Sequence, residues 1–471
     1  MNELKDKVKI PSWVSCRTYF FGEEKSRTYI ANEKKHTYVQ LDGLASDMWK
    51  MLYDKIDGES FEKWAEKNGV KEEVDPFVNE LLNQGLLYLE GSAGFSEETY
   101  GKMAEETDPT EESKFVEEMQ SWLFGHGFMF SLFFELTYRC DLKCVHCYNP
   151  KHMSNIELDF DLCKKAIDDA YDVGCFRVTF SGGESTLHSK FVELVKYARS
   201  KHMSVEIFTN GQMLYKNKDL YDEIINQYVY RVCVSLYSTE EKMHEQVTDV
   251  KGSFYNTFSL INKLRADNVN VQIKNFLLNF NCMDCIKVKS FAEEIKATSV
   301  ADISLIPTIE GDKKTMQYKL DKEDLFKLYI DEKSPLYVGK NIVKRDYEKI
   351  KDSSPCLAGF TGLCVSPTGE VGICVSMPYI IGSLNKTSLK DMWQGAIDKE
   401  EDNKLYKWQK VTIKDLKKCY KEEYCDFCSY CPGMGYLENG YLEPSTVLCE
   451  QAKTKMKAYN YLKEKEKNKD I

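Results

Sequence analysis

Three cysteines fall within eight residues, Cys140-Asp-Leu-Lys-Cys144-Val-His-Cys147, directly after the most apolar stretch of the chain, 128–136. Thiols so close in sequence suit a metal centre better than a disulfide framework. The surrounding chain agrees. It holds 17 cysteines in 471 residues, yet its N-terminus, Met1-Asn2-Glu3-Leu4-Lys5-Asp6, lacks a basic segment followed by an apolar run. No secretory signal is expected from it. No stretch reaches the ~18 uninterrupted apolar residues of a membrane helix, so neither export nor a membrane is expected. A cytoplasmic chain keeps its thiols reduced, which leaves metal binding or catalysis to explain their number.

Composition narrows the partners. At 42% hydrophobic and 30% charged residues, the chain is too apolar for disorder and too charged for a membrane protein. The net charge of −11 is concentrated: residues 91–120 hold nine carboxylates against two lysines. The lysine-rich end, Ala452 to Ile471, has interleaved acids and no arginine. It reads as a solvated terminal helix, and nucleic acid is not an expected partner.

Pattern divides the chain into parts. Within residues 1–90, apolar alternation predicts strands at 17–21, 28–30 and 37–39. Helical spacing follows through Leu44, Met48, Met51 and Leu52, through Phe61 and Trp64, and through Val74, Phe77, Val78, Leu81 and Leu82, with a return strand at 86–89. No cluster of titratable or metal-binding residues lies there, so this β-then-α piece reads as a binding module. Residues 91–125 form an acidic linker, partly helical. Between 126 and 310, strands at 128–136, 175–180, 204–208, 230–236, 271–277 and 302–306 alternate with amphipathic helices such as 161–173, 190–201 and 254–268. Six such units imply an α/β fold with a parallel sheet and right-handed crossovers, too short for an eight-fold barrel and enough for a partial one. A connector spans 311–350, and 351–471 reads as Gly- and Cys-rich with little helical periodicity.

The first cysteine motif follows the first barrel strand, where a parallel β/α barrel carries its active site. Spacing alone leaves a 4Fe–4S cluster with one open iron, a zinc site completed by His146, and simple cysteine abundance as alternatives. With Tyr148 following it, CxxxCxxC resembles the motif of the radical S-adenosylmethionine (SAM) superfamily, whose members use a partial (β/α)6 barrel. The likeness continues at the second strand with Phe180-Ser181-Gly182-Gly183-Glu184. In that family this segment receives the SAM amino group; glycines allow close backbone approach and a carboxylate suits an ammonium. By position, Tyr148, Thr209, Asn210 and Ser235 are further SAM contacts that the resemblance implies.

Cys356, Cys364 and Cys374 flank a segment, 365–371, that reads as a hairpin with a Pro/Gly turn, and Cys419, Cys425, Cys428, Cys431 and Cys449 follow. Eight thiolates suffice for two fully ligated 4Fe–4S clusters; a zinc ribbon is the alternative for Cys425-x-x-Cys428. The arrangement resembles a SPASM domain, which implies three 4Fe–4S clusters in all. The resemblance assigns Cys356, Cys364, Cys374 and Cys431 to one auxiliary cluster and Cys419, Cys425, Cys428 and Cys449 to the other. Spacings of 5, 2 and 2 residues from Cys419 to Cys431 depart from the family pattern, and Cys364 decides whether the first auxiliary cluster keeps an open iron. The first 90 residues resemble the RiPP recognition element, a winged-helix-like module that binds a precursor peptide's leader by strand addition; a structural or dimerising domain is the alternative.

Together these resemblances imply a radical SAM peptide maturase. Its expected partners are a precursor peptide, with the leader on residues 1–90, and a reductant such as flavodoxin or ferredoxin. SAM would be cleaved to methionine and a 5′-deoxyadenosyl radical that abstracts hydrogen from the peptide core, with a Cys thioether of the sactipeptide or ranthipeptide type as product. Rivals are a peptide epimerase with Cys233 or Cys282 as hydrogen donor, an anaerobic sulfatase-maturating (formylglycine-forming) enzyme, and a non-catalytic iron–sulfur electron carrier. Cys163 and Cys175 occupy apolar positions and read as core, and Cys282-x-x-Cys285 reads as a redox pair or an incidental spacing.

Overall fold

The structure, a computed structural model, describes residues 8–22, 25–53, 58–89, 109–149, 154–339 and 346–467. The acidic run 91–108, residues 340–345 of the connector and the last four residues of the lysine-rich end lie outside the described residues.

Strand β1 (Val8–Lys9), β2 (Val14–Phe21), β3 (Lys25–Asn32), β4 (Thr37–Asp42) and β5 (Tyr88–Leu89) belong to the first part of the chain. An antiparallel sheet runs β2-β3-β4, and β1 pairs with β5 apart from it. The ladders outrun the apolar alternation, so each of the three strands is longer than the sequence predicts. One face of the sheet buries Val14, Cys16 and Ile30 against Met48, Trp49, Val74, Val78 and Leu81 of the helices Leu44–Tyr53 and Val74–Asn83. The other buries Tyr19, Tyr29 and Ala31 against Met119 and Leu123. These last two sit on a helix, Pro109–Gly125. Half of the expected linker is therefore a structural helix: Phe115, Val116, Met119, Trp122 and Leu123 recur at helical spacing, and the acidic composition obscures that stripe.

The barrel strands are β6 (Ser131–Glu135), β7 (Arg177–Ser181), β8 (Ser204–Thr209), β9 (Arg231–Ser235), β10 (Val271–Phe276) and β11 (Thr298–Asp302), all parallel. The helices Phe160–Asp172, Phe191–Ser200 and Ser253–Ala266 cover the outer face. That face buries Leu132, Phe134, Val178, Phe180, Val205, Ile207, Val232, Val234, Val271 and Ile273. By strand alternation, Phe133, Glu135, Thr179, Glu206, Phe208, Cys233, Ser235, Gln272 and Lys274 face inward. The last strand corrects the expected 302–306. Ile303 and Leu305 alternate like a strand, but each packs into its own apolar cluster beyond the sheet.

Three further strands continue the same sheet: β12 (Gly362–Val365), β13 (Glu370–Cys374) and β14 (Met377–Ser383). The order is β11-β10-β9-β8-β7-β6-β12-β13-β14. The expected hairpin is present, Val365 opposite Val371, and β12 lies parallel to β6 with Cys364 opposite Phe133. The C-terminal part is also more helical than its composition suggests, with Leu389–Ile397, Lys404–Gln409, Pro432–Asn439 and Thr446–Lys467. The last is not a fully solvated helix. Ala458 joins Leu325 and Leu328 of the connector's helix Lys322–Ile330 in one apolar cluster. Among the described residues no helix is long and apolar enough to cross a membrane.

The N-terminal sheet docks on the N-terminal end of the barrel strands. Tyr19 donates to Gly174 O at 3.0 Å and Cys16 N to His202 O at 2.9 Å, both in loops that precede strands. Arg199 holds the joint: its guanidinium donates to Ser15 Oγ (2.5 Å), Ser12 O (2.6 Å), Met203 O (2.6 Å) and Gln227 O (3.0 Å). Removing a buried donor strands its acceptors. Arg199→Ala is expected to cost roughly 3 kcal/mol, read as a lower urea midpoint; an unchanged midpoint contradicts this role.

Candidate active site at the C-terminal mouth of the barrel

The loop leaving β6 carries Cys140, Cys144 and Cys147, and two neighbouring loops grip it. Lys143 N and Val145 N donate to Thr248 O and Val247 O, at the end of the helix Glu241–Thr248. On the other side Gly183 N donates to Thr137 O at 2.7 Å and Glu184 N to Arg139 O at 2.8 Å. The two glycines are required for that contact. A Cβ on Gly182, whose φ is +138°, would stand 2.6 Å from Thr137 O, and one on Gly183 would stand 2.3 Å from Arg139 O. Their smallness therefore serves the approach of the cysteine loop as well as any ligand.

Glu184 is 2% exposed and ties three loops together. Its Oε1 accepts from Thr186 N (3.2 Å), Thr186 Oγ1 (2.6 Å) and Thr209 Oγ1 (2.8 Å), and its Oε2 from Asn210 N (2.7 Å). A carboxylate has about four acceptor sites, shared by its two oxygens, so Oε1 is filled and Oε2 keeps room for one more donor such as an ammonium. Burial raises this carboxyl to about 7, and the bonds from Asn210, Thr186 and Thr209 work against that rise. Asn210 extends the brace, its Nδ2 donating to Asp141 Oδ1 at 2.7 Å and reaching Cys140 Sγ at 3.6 Å. Thr209 and Asn210 thus meet the cysteine loop and the Gly-Gly-Glu segment at one point. Ser235 ends β9 nearby, beside the Tyr237 hydroxyl, which lies 3.8 Å from Cys144 Sγ.

Glu135 was not singled out by sequence reasoning, although a lone carboxylate in an apolar strand is a readable signal. It is 9% exposed, its carboxyl is raised by burial, and it accepts from Tyr148 OH at 2.5 Å. Its charge acts on both Cys147 and Cys364, so it stands between the barrel's cysteines and those of the C-terminal part. His146 stacks on Phe276, ring centroids 4.7 Å apart, and burial lowers its imidazole to about 4.

The C-terminal cysteines gather in two neighbourhoods. Cys374 responds to Cys431 and Cys356, and Cys364 to Cys374. Cys419 responds to Cys449 and Cys425. Cys428 packs beside Met434 and Val447 on one side and Tyr424 on the other. Among the described residues no three such groups converge on a single metal ion. Burial pushes Cys144 up to about 12 and raises Cys140 and Cys147. Alone they stay protonated at neutral pH, while a cationic centre reverses that balance and holds thiolates. The donor set fits iron–sulfur clusters.

The two candidate hydrogen donors differ. Cys233 faces the barrel interior, 3.5 Å from Glu206 Oε1, one layer below Ser235. Cys282 packs with Leu277, Cys285, Leu320, Leu325 and Leu328, surroundings of a core cysteine and not of an open donor. The Glu184 brace carries a pH signature. Its folded pKa lies above the ordinary 4.5, so its stabilisation is complete below that value and is lost as pH rises to about 7. The stability difference between the ligand-free protein and Glu184→Gln is expected to shift by about 3 kcal/mol across that range; a pH-independent difference contradicts the buried brace.

Comparison with known proteins meets the same residues. A model of the Radical SAM superfamily matches residues 134–281, and one of the SPASM iron–sulfur cluster-binding domain matches 356–432. The chain is 27% identical over 320 residues to the antilisterial bacteriocin subtilosin biosynthesis protein AlbA of Bacillus subtilis, covering 64% of this chain and 66% of AlbA, just under two thirds. It is 26% identical to an AdoMet-dependent heme synthase of Methanosarcina barkeri over 66% of this chain and 93% of that protein. Its fold is similar to Streptococcus suis SuiB bound to the precursor peptide SuiA, with a TM-score of 0.55 at 15% identity over 94% of this chain and 99% of SuiB. The cysteine loop, the glycine pair and both matches agree, and this chain carries a radical SAM domain followed by a SPASM iron–sulfur cluster-binding domain.

Proposed function

We propose that the chain matures a ribosomally made precursor peptide, binding its leader on residues 1–90 and joining a cysteine sulfur of its core to a carbon as a thioether. The observation that carries the peptide reading is the N-terminal sheet, docked on the barrel with β4 as its terminal strand. An edge strand accepts a peptide by main-chain pairing, and in this reading the module is a winged-helix-like recognition element. The likenesses to a bacteriocin biosynthesis protein and to a structure bound to a precursor peptide support it.

In this reading Cys140, Cys144 and Cys147 hold the SAM-cleaving 4Fe–4S cluster. Cys356, Cys364, Cys374 and Cys431 hold one auxiliary cluster, and Cys419, Cys425, Cys428 and Cys449 the other. When bound, these groups and SAM supply hydrogen-atom abstraction and an acceptor for the electron that the cross-link releases. The protein's share is placement. Glu184 Oε2 takes the SAM ammonium, with Gly182 and Gly183 beside it, and Thr209, Asn210 and Ser235 complete the polar rim. Glu135 accepts from the Tyr148 hydroxyl and would fix that ring beside the cysteine motif. Phe133, Phe208 and the inward Lys274 line the mouth that the peptide core enters. Thioether formation removes one hydrogen from the thiol and one from the carbon, so each cross-link lowers the peptide mass by two hydrogens. Three clusters require a reduced cytoplasm with a flavodoxin- or ferredoxin-like donor.

Geometry sets a length rule. The module sits at the N-terminal end of the strands and the cysteine loop at the C-terminal end. Strands of five or six residues rise about 20 Å, and an extended chain spans at most about 3.5 Å per residue. The peptide therefore needs roughly ten residues or more between its bound leader and the modified cysteine once the loops are passed. Mass spectrometry of the reconstituted enzyme with its precursor is expected to show loss of two hydrogens per cross-link, and deleting about ten residues of that spacer is expected to abolish the loss while leader affinity stays. Retained modification of the shortened peptide contradicts this path. Unchanged mass with altered stereochemistry assigns epimerisation instead, and Cys233→Ala then blocks it.

A further inference from the structure

Strand alternation turns Lys274 of β10 into the barrel, with Gln272 below it and Phe276 above it on the same face. Phe276 stacks on His146 of the cysteine loop, so Lys274 lies one inward position beneath that loop. Register sets it opposite Ser235 of β9 and Val300 of β11. Its partly buried side chain places the ammonium 5.1 Å from the centre of the Phe208 ring, and Phe208 meets Phe133 edge to face at 5.8 Å. The interior acid is already taken. Glu206 accepts from Arg231 Nε at 2.8 Å, from Arg231 Nη2 at 2.6 Å and from Thr179 Oγ1 at 3.3 Å. Asp302, opposite Phe276, is exposed and accepts from Ser304 N at 2.7 Å. Among the described residues Lys274 has no ion pair and no hydrogen bond. Drawing an ammonium out of water without a partner costs free energy, and a lysine free to do so keeps its head in solvent. This one lies over an interior ring instead, in a space where an anion can join it.

We propose that Lys274 forms an ion pair with a carboxylate of the substrate peptide, an aspartate or glutamate side chain close to the residue that reacts, and so selects an acidic core. The inference rests on the reading of the chain as a peptide maturase. Phe133 and Phe208 form the apolar side of the same space, and exclusion of water strengthens the pair. SAM also carries a carboxylate, joined to the same carbon as the ammonium that Glu184 takes in that reading. Glu184 follows β7, and β10 is three strands away, about 14 Å along the sheet. The peptide is therefore the source that the geometry favours. Lys274 touches the substrate away from the reacting atoms, so it sets specificity and position.

The test is competition between two capped tripeptides, acetyl-Ala-Glu-Ala-amide and acetyl-Ala-Gln-Ala-amide, for the anaerobically reconstituted full chain with SAM, read by saturation-transfer nuclear magnetic resonance. The wild type is expected to favour the glutamate peptide by about tenfold. Lys274→Met loses that preference and Lys274→Arg keeps it. Equal binding of both peptides to wild type, or a preference that survives in Lys274→Met, overturns the inference alone. Binding of neither peptide overturns the peptide reading, and the inference with it. SAM affinity, measured by equilibrium dialysis, is expected to be the same in Lys274→Met and wild type. A loss of about tenfold assigns the lysine to the SAM carboxylate and overturns the peptide as its partner. The unloaded chain gives an independent reading. Removing an ammonium with no protein partner is expected to leave or raise the thermal midpoint of Lys274→Met, and a lowered midpoint, which reveals a partner within the protein, overturns the proposal.

Discussion

Strand β6 is hydrogen-bonded in parallel on both sides, to β7 and to β12, and the site depends on that double pairing. Register on one side brings Phe134 and Glu135 level with Phe180 and Ser181, so the cysteine loop and the Gly-Gly-Glu segment leave the sheet together. Register on the other places Cys364 opposite Phe133, two positions from Glu135 on the same face. One five-residue strand thus fixes the spacing between the barrel's cysteines and those of the C-terminal part. A slip of one residue would turn Glu135 and Phe133 to the outer face, where Leu132 and Phe134 are now buried.

Electrostatics at the mouth follows from burial. Burial raises the carboxyls of Glu184 and Glu135, and it raises the nearby thiols as well. A cation beside these groups would offset the burial that raises them. The bonds from Thr186, Thr209 and Asn210 brace the Glu184 carboxyl in place.

Much of this was legible in the sequence because it is local. The cysteine spacing, the glycine pair and the polar residues at strand ends each declare themselves within a few positions, and period-two alternation marked five of the six barrel strands closely. What escaped was non-local or masked. No periodicity announces that β12 will pair with β6 across more than two hundred residues. The helix Pro109–Gly125 hides its apolar stripe among carboxylates. The last barrel strand is at the sheet edge, half exposed, and the more apolar residues after it mimic a strand while packing elsewhere. The structure also explains Gly182 and Gly183 more fully, since they serve the contact with the cysteine loop as well as space for a ligand.

The central claim is that the loop after β6 holds a centre that cleaves SAM. The most direct measurement is 5′-deoxyadenosine formed by the anaerobically reconstituted chain with SAM and a strong reductant, beside Cys140→Ala, Cys144→Ala and Cys147→Ala. Wild type forms the nucleoside and each variant forms none while keeping the iron of the C-terminal clusters. A wild type that loads iron yet leaves SAM intact, or a variant that cleaves it as well as wild type, contradicts the account.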